Sequence, residues 1–333
     1  MEKKKLVFSG VQPTGSLHLG NYLGALKNFV DLQKNNECIY CVVDLHAITV
    51  FQDPVKLKDN ILQTTAAFLA SGLDHNKSII FNQSSVPGHT ELAWILNCVA
   101  RIGWLNRMTQ FKDKAGTDRE KASVGLYIYP NLMAADVLLY KSTHVPVGAD
   151  QKQHLELCRD IAQKFNNDFK KEFFPIPEPL IQKNISRVMS LRDGGKKMSK
   201  SDESGYSRIN LKDTADEIIK KINKAQSDSS AIPESLKELE FKPEALNLLN
   251  IYTDISKSSL EKTLIEMKGK DYSFLKNKLS DILIQTICPI GKKIKELLED
   301  KTFLEKVINE GSEKASKIAE NNLKEIKKMV GLL

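Results

Sequence analysis

The chain has 333 residues, more than one typical domain, and with 41% hydrophobic and 27% charged residues it can bury a sizeable core. Its 17 Gly and 11 Pro exclude a collagen-like or low-complexity scaffold, no apolar run approaches a membrane span, and only Leu6, Val7 and Phe8 follow the basic start, too few for a secretory signal. Lys and Arg total 49 against 42 Asp and Glu, and the whole net charge of +7 lies in residues 1–201, so a phosphate-rich partner is expected there, in a cytoplasmic protein.

Lys5 to Ser9 reads as a short strand ending at a glycine, and residues 17–33 then carry Leu19, Leu23, Leu26 and Val30 at helical spacing. Cys38 to Asp44 is the next strand-like run. It holds a C-x-x-C, but with no second pair at metal-ligand spacing, and five scattered cysteines argue for reduced, buried thiols. A helix is expected over 54–73, a strand over 78–82, helices over 89–103 and 131–141, a strand at 145–148 and a helix from Asp150 to Phe165. Strands alternating with helices predict an α/β fold, a doubly wound parallel sheet. Residues 190–206, rich in Gly, Ser and Lys, predict a mobile, irregular loop and a boundary. Beyond it helical spacing dominates at 212–225, 242–255, 272–287 and 313–332, the last with Ala315, Ile318, Ala319, Asn322, Leu323, Ile326 and Met329 on one side.

Two stretches carry chemistry. The loop Gly10 to Asn21 opens as G-x-x-x-x-G-S, with Ser16 where a P-loop needs lysine, so an ordinary ATPase reading weakens. What remains is a turn of small residues feeding a helix start, with His18, Gly20 and Asn21 placed to meet an anion. Far downstream, Lys197, Met198, Ser199, Lys200 and Ser201 combine two lysines and two hydroxyls, a build suited to a polyphosphate that moves during reaction. In the run LMAADVLLY, Pro130 is expected in the first turn of a helix, which puts Met133 and Asp136 on one face with Tyr129 at its entrance. The residues alone leave two readings of Asp136 open: a structural salt bridge, or an acceptor for a ligand N–H. His75, His89 and His144 read as loop or element-end residues without ligand-spaced partners, and His154 as part of a polar helix start.

The two stretches resemble the HIGH and KMSKS signatures of class I aminoacyl-tRNA synthetases. The spelling at 8–26, 42–50, 107–114, 129–140, 145–157 and 187–202 is similar to the bacterial tryptophan-specific branch of that class. The resemblance implies a Rossmann-type catalytic domain over 1–189 that activates tryptophan with ATP, a signature loop over 190–206, and a helical domain over 207–333 that reads the tRNA anticodon, in a homodimer without membrane contact. ATP contacts would fall on Gln12, Pro13, Thr14, Gly20, Asn21, Gly148, Ala149, Asp150, Val188 and residues 197–201. His18, Lys197 and Lys200 would be catalytic. Ala149 departs from the pattern, since an acid is common there, so Asp150 or backbone groups must serve. Tryptophan would be lined by Phe8, Gly10, His46, Gln110, Tyr129, Met133, Val145, Val147 and Gln151, with Asp136 accepting from the indole N–H and standing unpaired until that donor arrives. Mg²⁺ would be held by ATP oxygens, with no dedicated metal site and no tightly bound cofactor. A tyrosine-specific synthetase and a noncatalytic paralogue are the alternatives.

Overall fold

The computed structural model describes residues 4–109, 121–148, 151–181, 187–227 and 231–333. Five parallel strands, β1 (Leu6–Val11), β2 (Glu37–Val42), β3 (Ile79–Asn82), β4 (His144–Val147) and β5 (Glu178–Ile181), lie in the order β3-β2-β1-β4-β5. The chain order reverses at β1, which opens a crevice at the C-terminal ends of β1 and β4, the place where ligands bind in open α/β sheets. β5 is absent from the sequence reading because Pro177 and Pro179 mask it; at a sheet edge a proline costs no interior ladder bond.

Period-two alternation splits the core. Val7, Cys38, Tyr40 and Val42 face one apolar cluster, and Phe8, Ile39 and Cys41 face the other. The first cluster is covered by α1 (residues 19–32) and α3 (Pro54–Ala70), the second by α4 (Gly88–Val99), α6 (Val124–Leu138) and α7 (Lys152–Asp168). The short helices α2 (Asp44–Ala47) and α5 (Ile102–Leu105) fill the connections. α1 starts at Leu19 and widens into a π-helical stretch over Tyr22–Leu26, one turn past the anion-facing loop.

Two expectations need correction. α6 begins at Val124, capped by Ser123 Oγ, so Pro130 lies in the helix interior, where it removes one backbone bond, rather than in the first turn. Residues 190–206 are not wholly irregular: Met189–Ser190 (β6) and Asp193–Lys197 (β7) pair as an antiparallel hairpin, and Leu191 and Met198 are buried in the first cluster. A Gly/Ser/Lys composition hid these two apolar anchors.

The helical half consists of α8 (Ala215–Asn223), α9 (Leu236–Leu239), α10 (Pro243–Ser256), α11 (Leu260–Met267), α12 (Tyr272–Glu299) and α13 (Lys301–Met329). α12 packs on α3, and α13 returns to the sheet and seals the free edge of β3. At the crossing, a Cβ on Gly311 would stand 1.8 Å from the Ile80 carbonyl oxygen, so only glycine lets helix and strand meet. Ala315, Ala319, Leu323 and Ile326 then continue the second cluster, and Asn322 donates to the Leu139 carbonyl.

Candidate active site

The loop after β1 is closed from outside by residues 209–211: Leu19 N–H donates to the Ile209 carbonyl and Leu211 N–H to that of Leu17. His18 is the N-cap of α1. Its Nδ1 accepts from Gly20 N–H at 3.1 Å and Asn21 Oδ1 accepts from His18 N–H, a reciprocal capping box built on an imidazole. A Cβ on Gly20 would come within 3.0 Å of the His18 ring. Because Nδ1 is an acceptor, the neutral ring carries its proton on Nε2.

The signature hairpin docks on this loop. Met198 N–H donates to the Val188 carbonyl, Val188 lies beside Gly20, and Lys200 Nζ reaches the Gly15 carbonyl at 3.4 Å. Burial pushes the Lys200 ammonium down to about 8. Burial, then the charges of Lys200, Arg208 and Lys197, push the His18 imidazole down to about 4. Among the described residues no carboxylate stands within ion-pair distance of Lys200. The hairpin thus docks on the loop that carries Gln12, Pro13, Thr14, Gly20 and Asn21, with Lys200 against Gly15 and with Val188 and Met198 buried as apolar support; Gly148 follows β4, and Ala149 and Asp150 lie outside the described residues.

Across the crevice, α6 presents Tyr129, Met133 and Asp136 beneath β1 and β4, which carry Phe8, Gly10, Val145 and Val147; Gln151 caps α7, and Gln110 lies outside the described residues. Asp136, 1% exposed, is not an unpaired carboxylate. Its Oδ2 accepts from His46 Nε2 at 2.7 Å, and its Oδ1 from Gln83 Nε2 and His89 Nδ1, both at 2.6 Å. Burial pushes the carboxyl up, but the charge and hydrogen bond of His46, then those of His89, outweigh it and hold the group below the usual carboxylate range. The expectation of an empty-handed acceptor is therefore corrected: the cost of burying the charge is met in advance by the protein.

His89, read as a partnerless loop residue, is fully buried in α4 and bridges Asp136 to Tyr140 Oη, 2.8 Å from its Nε2. His154, read as part of a polar helix start, is buried with its Nε2 2.8 Å from Tyr129 Oη. Neither residue has a local motif; a buried histidine on a mostly apolar helix face was the available signal. Gln83 was missed as well. It sits in the 3₁₀ turn after β3, its Oε1 accepts from Leu45 N–H, and so its Nε2 is the end left to donate to Asp136. His75 stays at the surface edge-on to Phe303, and His144 lies on β4 near Glu178.

A parallel sheet of this order, with a histidine-capped glycine loop and a lysine-bearing hairpin closing on it, defines a class I nucleotide-activating site. The chain belongs to the tRNA synthetases class I (W and Y), whose family model matches residues 1–288. It is 54% identical over 349 aligned residues to the tryptophan–tRNA ligase of Brucella melitensis, covering 99% of this chain and 98% of that protein. Among solved structures it is similar to the tryptophanyl-tRNA synthetase of Mycoplasma pneumoniae (34% identity, TM-score 0.87, 99% of both chains). It is also similar to that of Campylobacter jejuni complexed with ADP and tryptophan (35%, TM-score 0.81, 98% of this chain and all of that one).

Proposed function

We propose that the chain is a tryptophan–tRNA ligase: it condenses L-tryptophan with ATP to tryptophanyl-adenylate and pyrophosphate, then passes the tryptophanyl group to the 3′ end of tRNA(Trp). The observation that carries the choice of amino acid is the buried, ionised Asp136 on the face of α6 toward an apolar crevice. A carboxylate can only accept, an indole nitrogen can only donate, and the apolar residues expected around it, Phe8, Met133, Val145 and Val147, suit the rest of the ring. Tyr129, whose Oη is bonded to His154, and Gln151, at the start of α7, would complete the same pocket, while Gly10 lets Val43 pack against β1.

In the first step the tryptophan carboxylate attacks the α-phosphorus in line and pyrophosphate departs, with no covalent enzyme intermediate. The chain's part is positioning and charge stabilisation. Lys200 and Lys197 meet the negative charge that grows on the departing pyrophosphate. His18 Nε2–H and the backbone from Gln12 to Thr14 hold phosphate oxygens, and Gly148 gives room for the ribose. Mg²⁺ enters with the ATP oxygens. In the second step the terminal adenosine hydroxyl of tRNA attacks the mixed anhydride and AMP leaves. The helical half, 207–333, is the part that reaches the anticodon, while the basic first part attracts the phosphate backbone.

A homodimer accords with exposed apolar residues on one side of the catalytic half. Ile48, Val50 and Phe51 lie beside the start of α6, where Ser123 Oγ donates to the Thr49 carbonyl, with Val124 and Ile102 adjoining. Among the described residues no helix is long and apolar enough to cross a membrane.

The test is amino-acid-dependent exchange of pyrophosphate into ATP. It should require tryptophan and be at least about 10³-fold weaker in kcat/KM with tyrosine. Equal stimulation by tyrosine removes the assignment.

A further inference from the structure

Asp136 has more partners than an indole acceptor needs, and their arrangement is uneven. An ionised carboxylate offers about four lone-pair directions, two on each oxygen. Oδ1 accepts from both Gln83 and His89; Oδ2 accepts from His46 alone. Gln83 Oε1 already takes the Leu45 N–H, so its amide cannot turn without losing a bond at both ends. His89 Nδ1–H donates to Oδ1, and the other ring nitrogen, Nε2, is tied to Tyr140 Oη at 2.8 Å, so both ends of the ring are held. Tyr140 itself is fixed, stacked on Phe8 at 5.7 Å between ring centroids and edge-on to Phe81 at 5.9 Å. Gln83, His89, Asp136 and Tyr140 are all at most 1% exposed, so no water competes for these bonds.

We propose that His89 and Gln83, braced by Tyr140 and Leu45, are positioning residues for the indole-binding carboxylate: they saturate Oδ1 and leave one lone pair of Oδ2, beside His46, for the ring N–H of the substrate. This rests on the reading of Asp136 as the indole acceptor and adds how its aim is set. A carboxylate free to rotate would offer the ligand either oxygen at poorer geometry; one pinned from behind offers a single direction at no cost of reorganisation on binding. Specificity for an N–H over an isosteric ring atom then depends on groups that never touch the substrate.

The experiment compares tryptophan with the analogue whose ring N–H is replaced by sulfur, by pyrophosphate exchange on variants with wild-type circular dichroism. His89→Leu should lower kcat/KM for tryptophan on the order of 10-fold to 100-fold and for the analogue much less, narrowing the ratio between them. His89→Asn, whose side-chain amide can still donate to Oδ1, should recover most of the ratio. Tyr140→Phe keeps the ring packing and removes only the hydroxyl, and should narrow the ratio by about 2-fold to 5-fold. Equal losses on both substrates in His89→Leu, or an unchanged ratio in Tyr140→Phe where His89→Leu does not fold, overturn the positioning role. Asp136→Asn separates the two levels. A ratio unchanged there overturns the reading of Asp136 itself; a ratio narrowed there but not in the His89 and Tyr140 variants overturns only the bracing.

Discussion

The pocket around Asp136 and the cradle around Lys200 are both buried against the same sheet, yet they stand in opposite electrostatic states before any ligand arrives. At Asp136 a negative charge is enclosed with three side-chain donors, so its charged form is favoured despite burial. At Lys200 an ammonium is half-buried against a backbone carbonyl, close to Lys197, Arg208 and His18, and every resolved shift runs against positive charge. In the proposed reaction the first arrangement selects: its cost is settled within the fold, and a ligand gains only by matching one free lone pair. The second waits: the cost of the buried ammonium is relieved only when an anion enters, and most of all when that anion gains charge in the transition state.

The largest effect should come from the side that waits. Lys200→Ala should lower kcat for activation by roughly 10³-fold with a much smaller change in the KM for ATP, because the lysine's full value appears only as pyrophosphate departs. A change confined to KM breaks the contrast, for Lys200 would then bind ground-state ATP no differently from any surface lysine. Next is the sheet edge that supports the side that selects. Gly311→Ala places a methyl against the Ile80 backbone three residues before Gln83, and should cost about 3 kcal/mol, lowering Tm by roughly 5 °C. Because β3 leads into Gln83 while the cradle hangs on β1 and α1, the KM for tryptophan should rise before that for ATP. Equal rises, or an unchanged Tm, would show that the two halves do not depend on the edge differently.

How far each half could be read from the sequence follows the same division. The cradle is spelled in two contiguous runs, His18 to Asn21 and Lys197 to Ser201, and glycine and lysine in such runs have few other uses, so the sequence points to them residue by residue as expected anion contacts. The parallel sheet was readable where strands are short apolar runs between helices, as at Cys38 to Val42, and unreadable at β5, where Pro179 breaks the pattern. The network behind Asp136 leaves little local trace beyond a histidine on a mostly apolar helix face. Gln83, His89 and Tyr140 come from separate elements, and their meaning exists only once α4, α6 and the turn after β3 pack together. Pro130 misled for a related reason: a proline signals a helix start locally, and only the packing of α6 against α4 and α7 tolerates it inside. The return of α13 to β3 was visible as an apolar stripe, but what the stripe would cover was not.

The smallest effect, and the most direct measure of the waiting charge, is proton uptake on binding ATP. In the free protein Lys200 titrates at about 8 against an ordinary value of 10.5, so between those limits the folded chain holds fewer protons than the unfolded one and stability rises with pH. His18, at about 4 against 6.5, makes the same contribution in its own window: its share of stability is present above 6.5 and is lost as pH falls through the folded value. Bound triphosphate opposes both shifts. At pH 9 the free enzyme's Lys200 is mostly neutral, and binding returns its proton. At pH 7 Lys200 is already mostly charged and His18 already neutral, so little moves. Isothermal calorimetry in buffers of differing ionisation enthalpy should therefore find uptake approaching one proton near pH 9, a minimum near pH 7, and a second rise toward pH 5. Lys200→Met should abolish the alkaline limb alone. His18→Asn should remove the acid limb alone, since positive charge around bound ATP makes its phosphates release protons and not take them up. Uptake that is flat with pH, or an alkaline limb surviving Lys200→Met, would place the strained charge elsewhere and remove the contrast between the two sides of the crevice.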